Sequence, residues 1–205
     1  MKPLVLAIAI IIFWGACNDD NNTAPNPAAT TSSVSISNLP ADPPTGYDPT
    51  NGKPIGEKNQ FTYFRFADST ILTQADSASS KWDIAFKGAT IILNSGSSGP
   101  GTASGFVMNG VFSDLAEVPA DSTFRKDQAP TYAISNWTSY EPVSKVLSPT
   151  PGKIFVIKTN DNKYVKMEVL CYYKDCPAQV NAFVHAARYY TFRYTLQKDG
   201  SKKFK

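Results

Sequence analysis

Histidine occurs once in these 205 residues, as His185, and methionine and cysteine occur three times each. A single imidazole excludes any site built from two histidines of one chain, and no Cys-x-x-Cys pair is present to hold zinc. There is no run of basic residues to track a phosphate backbone, and the formal charge is only +3, so nucleic acid is not an expected partner. No stretch sustains a 3.6-residue apolar period, which excludes a helical bundle. The longest apolar run, PLVLAIAIIIF (residues 3–13), is too short to cross a bilayer as a helix. Catalytic patterns are missing as well. Cys176 and His185 come nearest to a thiol–imidazole pair, but no third group is placed to orient them, and the acidic residues are scattered without a motif. An enzyme is not expected.

The N-terminus has one lysine, the short apolar run, Trp14-Gly15-Ala16-Cys17, and then an abrupt polar shift at Asn18-Asp19-Asp20. Residues 1–16 therefore read as a secretory signal peptide. Small residues directly before a cysteine resemble the lipobox of bacterial lipoproteins, with a departure at Trp14, where an aliphatic is usual. That likeness makes Cys17 the acylated first residue of the mature chain, attached to the membrane through lipid and not through a spanning helix. The acidic residues after it resemble a surface-export signal. Residues 17–58 are rich in Asn, Thr, Ser, Pro and Gly and read as a flexible tether, with Val34–Leu39 as a short edge strand. Residues 59–205 are enough for one domain with a single core.

Inside that domain the strongest local signal is IFVIK, Asn160-Asp161-Asn162, KYVKMEVL: two β-type runs around residues that tolerate left-handed backbone. A hairpin is expected, with Val165, Met167, Val169 and Cys171 on the core face. A third run, Arg188–Gln197, extends it to a meander. Between the second and third runs lies a polar loop that carries His185, and loops on rigid scaffolds are where sites sit. Upstream, Phe61–Phe66 and Ser80–Phe86 alternate, the latter with Trp82, Ile84 and Phe86 on one face, and Gly88 permits a bend before Thr90–Leu93. The glycine- and serine-rich stretch from Asn94 to Ser104 reads as a mobile loop. The fold class is all-β: an antiparallel sandwich or partly open barrel of short strands with long loops. With Cys17 assigned to lipid, Cys171 and Cys176 form the remaining pair in an exported chain, and a disulfide between them is expected, with a buried free thiol at Cys171, on the apolar face of its strand, as the alternative.

Taken together, WDIAFKGATIILNSG, the SGPGTASG loop, SNWTSY, PGKIFVIKTNDNKYVKMEVLCYYKD and RYYTFRYTLQKDG resemble the HmuY family, surface lipoproteins of Bacteroidetes. The resemblance runs from about Phe61 to the C-terminus. It implies a hand-like β fold that holds haem, or a related tetrapyrrole, between projecting loops and serves iron acquisition by passing haem to an outer-membrane receptor. This chain departs from the family's two-histidine ligation, because it has one histidine. His185 is then the first choice for an axial haem ligand and Met108 the second, since methionine also ligates haem iron. Met167 reads as core. Tyr172, Tyr173 and Tyr189 offer flat walls, and Arg188 and Arg193 offer charge-assisted hydrogen bonds to propionates. The missing histidine supports a second reading, a binding or adhesion module on the same fold without haem.

Overall fold

The computed structural model describes residues 32–50 and 53–204. The expected signal peptide and lipidated Cys17 lie outside the described residues. Thirteen strands in chain order form the fold, and the single helical element among the described residues is one 3-10 turn, Gln74–Asp76. The architecture is all-β and does not close into a barrel.

The expected meander is the spine. Strands β11 (Lys153–Lys158) and β12 (Tyr164–Tyr173) pair antiparallel, and β12 pairs with β13 (Ala187–Gln197). Asn162 takes the left-handed conformation, φ 58°, that the turn requires. Strand β8 (Ser104–Asn109) flanks β11 and β1 (Val34–Pro40) flanks β13, giving the order β1-β13-β12-β11-β8. A smaller sheet, β5-β4-β6-β7, is built from Thr70–Leu72, Thr62–Arg65, Ile84–Lys87 and Thr90–Leu93. The two sheets close on one core. Phe64, Phe66, Ile84 and Phe86 from the small sheet meet Phe155, Val165, Met167, Tyr190, Phe192 and Tyr194 from the large one. Each such side chain contributes about 1.5–3 kcal/mol by burial.

Two-residue alternation places a second set on the outer face of the large sheet. Ile154 and Val156 pack there with Val118 and Phe204, joined by Met108 and Phe106. The C-terminal tail folds back to cover that face, and Lys166 is buried beneath it with its ammonium group donating to the Phe112 and Leu115 carbonyls.

Three expectations change. Residues 34–40 are not tether: β1 is a full edge strand of the large sheet, and Leu39 and Ala41 are buried in the core, so the folded unit begins well before residue 59. The edge strand expected at Val34–Leu39 is thus present, but as part of the folded unit, and its polar composition is that of a strand that buries only part of its surface. Trp82 precedes β6 and does not share a face with Ile84 and Phe86; it packs with Tyr63, Ala85 and Ile92 on the outside of the small sheet. The loop from Ser95 to Thr102, expected to be mobile, is pinned. The Asn94 carboxamide accepts from Gly101 N–H, while Asn160 Oδ1 accepts from Thr102 and Ala103 N–H at 2.7 and 3.0 Å.

Candidate functional site

At the end of the sandwich away from the β11–β12 turn, three segments project beyond the sheets: the hairpin of β2 (Gly46–Tyr47) and β3 (Pro54–Ile55), the hairpin of β9 (Thr138–Glu141) and β10 (Val146–Pro149), and the loop 174–186. The end of β12 sets their base. Register shifts on both sides of Cys171 break simple alternation, so Cys171, Tyr172 and Tyr173 are all buried. Tyr172 stacks edge-on against Tyr190 and Trp137 in the core. The Tyr173 hydroxyl accepts from Leu147 N–H at 3.1 Å, tying the β9–β10 hairpin to the large sheet. Burial raises the pKa of both phenols, so neither offers a phenolate.

Arg188 ties down the β2–β3 projection. It sits at φ 67°, its guanidinium donates to the Asp42 carbonyl at 3.0 Å, and it pairs with Glu57. A non-glycine residue held in the left-handed region at the root of a cleft is where stored strain tends to cluster. The third projection closes on itself. Asn38 and Asp175 exchange two hydrogen bonds at its base, and further along the Asn181 carbonyl accepts from Val184 and His185 N–H. In return His185 Nδ1 accepts from Asn181 N–H at 2.9 Å.

Between these three segments runs a cleft. One part lies between Thr45–Tyr47 and Ala182–Ala187 and is lined by His185; it continues into a cavity of about 560 Å³ bounded by Tyr47, Tyr140, Lys145, Tyr173 and Phe183. Phe183 is 83% exposed, Tyr140 54% and Tyr47 50%. Apolar rings left in water on three adjacent projections, above a fully buried core, are the mark of a binding surface.

The residues singled out from sequence divide sharply. His185 and Tyr173 line the cleft, and Arg188 and Tyr172 support its floor. Met108 does not join them, since it packs on the outer face of the large sheet. Met167 is fully buried between the sheets, as expected. Arg193 pairs with Glu168 and lies over the Phe112 ring. Tyr189 is half-buried, with the Lys174 ammonium over its ring. Cys171 and Cys176 are free thiols, so the expected bridge is not formed in this structure. Partial desolvation, together with the hydrogen bond to the Cys171 thiol, pushes Cys176 up to about 11.

Of the histidine and methionine donors singled out from sequence, only His185 lines the cleft among the described residues, so no His–His or His–Met pair faces across it. Even His185 is committed, because the nitrogen that accepts from Asn181 cannot carry a proton and the hydrogen therefore sits on Nε2. The cleft is lined by flat aromatic rings and brings no second histidine or methionine opposite His185 among the described residues. Sequence reading passed over Tyr47, Tyr140, Lys145 and Phe183. The signal for the first was the turn-forming Asp48–Gly52 between two short β-type pairs, inside what read as tether.

A model of the family described as HmuY protein matches residues 57–194. Among solved structures, the apo HmuY analog TFO of Tannerella forsythia is 16% identical, with a TM-score of 0.45 over 82% of this chain and 96% of that one. Apo PinO from Porphyromonas gingivitis is 15% identical, with a TM-score of 0.47 over 82% and 99%. A candidate HmuY-like heme-binding protein from Bacteroides vulgatus is 13% identical, with a TM-score of 0.47 over 82% and 93%. No curated protein matches the chain.

Proposed function

The chain belongs to the HmuY family, and we propose that it is an exported, lipid-anchored binding protein that takes up haem or a related tetrapyrrole in the cleft between its three projections. The observation that carries this reading is the cleft itself: Tyr47, Tyr140 and Phe183 present exposed rings from three separate segments around one cavity. Flat aromatic walls stack favourably on a planar ligand. The described chain enters at the other end of the sandwich, where Val34 pairs with Tyr194, and β1 then runs toward the cleft, where Pro40 pairs with Tyr189. A lipid on Cys17 would leave the cleft facing away from the membrane, open to a receptor or a haem-carrying protein. Cys17→Ser should release the protein from the membrane fraction, and unchanged fractionation would reject the anchor.

The test of binding is titration of the purified protein with haem. A saturating 1:1 change in the Soret band, weakened about tenfold or more by Phe183→Ala and Tyr140→Ala together, supports the reading. Unsaturable, non-stoichiometric uptake would reject it. The engaged Nδ1 of His185 and the remote Met108 favour a second reading, in which the same cleft serves a planar or peptide ligand with no iron in it.

A further inference from the structure

Among the described residues, the lining of the cleft contains no carboxylate. Its ionisable side chains are Lys145, His185 and the phenols of Tyr47, Tyr140 and Tyr173. The acidic groups of the surrounding segments are turned to other partners: Glu57 to Arg188, Asp175 to Asn38, Asp42 to the Lys58 and Asn59 amides, and Glu141 to the Val143 amide. The cleft therefore offers donors from one lysine and three phenols, the phenols accepting as well, and no anionic acceptor among the described residues.

His185 belongs to this donor set. With Nδ1 accepting from Asn181 N–H, the neutral ring carries its hydrogen on Nε2, which donates. To offer Nε2 as a lone pair to a metal, the ring would have to move its proton to Nδ1 and lose one of the bonds that close the loop.

We infer that this cleft selects an anionic ligand with a flat aromatic frame, that His185 and Lys145 are its specificity-determining donors, and that a metal within the ligand adds little to affinity. The inference rests on the tetrapyrrole reading above and narrows it. The carboxylates of the ligand meet Nε2–H and the Lys145 ammonium, while its faces lie against Tyr47, Tyr140 and Phe183. Charge-assisted hydrogen bonds of this kind are about twice as strong as neutral ones.

The experiment compares haem with metal-free protoporphyrin IX on the same protein, each titrated by quenching of intrinsic fluorescence, with thermal melts to confirm that every variant folds. The two ligands should bind 1:1 with dissociation constants within about threefold of each other. His185→Ala should weaken both about tenfold, the loss of one charge-assisted hydrogen bond. His185→Gln, which keeps an N–H donor, should recover most of that loss for both. Lys145→Gln should weaken both, by a factor that shrinks as salt is raised. If haem binds 1:1 at least tenfold more tightly than the metal-free ring, and His185→Ala costs haem alone, the inference is overturned while the tetrapyrrole reading stands. If neither ligand binds with defined stoichiometry, the reading and the inference fall together.

Discussion

The two ends of this sandwich are built from opposite solutions to the same problem, a loop that must be held in place. At the β11–β12 end a glycine-rich loop is stitched down by two carboxamides, one of them fully buried. Asn160 accepts from two loop amides and donates to the Ser80 and Trp82 carbonyls, and the fully buried Asn94 donates to Ser79 and Trp82 while accepting from Gly101. A side chain on Gly101 would lie 2.4 Å from Asn160 Oδ1, so the loop's composition reflects close approach and not mobility. At the cleft end the 174–186 loop is held mainly by contacts at its base and by its own Asn181–His185 turn, with Phe183 and Val184 in water. One end spends its hydrogen-bonding groups on the fold, and the other leaves apolar rings and donors free for a ligand.

Breaking the knot gives the largest expected effect. Asn160→Ala removes four hydrogen bonds and leaves the Thr102 amide and the Ser80 carbonyl without their partner, while Ala103 N–H keeps the Asn94 carbonyl and the Trp82 carbonyl keeps the Asn94 carboxamide. It should cost about 3 kcal/mol in urea unfolding, since each bond contributes roughly 0.5–1.5 kcal/mol net. A loss under about 0.5 kcal/mol would show that water replaces the carboxamide and that the loop is not pinned by it. Asp83→Asn comes next. Both carboxylate oxygens accept backbone N–H groups, from Phe66 at 3.0 Å and Asn160 at 3.1 Å, and an amide would turn a donor toward one of them. About 2 kcal/mol is expected in the same assay.

The cleft end should respond in the opposite sense. Phe183→Ala should change unfolding free energy by no more than about 0.5 kcal/mol, as for exposed sites generally, while ligand affinity falls. A large loss of stability would mean that the ring packs in solution and that the contrast between the ends is false. The smallest effect belongs to the exposed pair Arg65–Asp68. The Arg65 guanidinium hydrogen-bonds the Asp68 carboxyl and holds its pKa well below the usual value of 3.8. A depressed folded pKa contributes stability that is present above the unfolded value and is lost as pH falls through the folded one. Solvent screening limits this to about 0.5 kcal/mol, so Arg65→Gln should differ from the parent slightly at pH 7, less in high salt, and not at all in strong acid.

Alternation and turn chemistry alone determined the all-β class, the β11–β12–β13 meander and the burial of Met167, because period-two patterning and the Asn-Asp-Asn turn are local and act through nearest neighbours. The same logic singled out the His185 loop. Only tertiary structure decided that Val34–Pro40 belongs to the large sheet, that the Ser95–Thr102 loop is fixed, and that Met108 and His185 serve different faces. Those outcomes depend on partners far away in sequence, such as Asn160 reaching Thr102 and Pro40 pairing with Tyr189. The tautomer of His185 lies between these cases. Its hydrogen-bond partner is only four residues away, yet no propensity announces it, because it arises from the path of a loop whose base is set by Asn38 and the register shifts of β12.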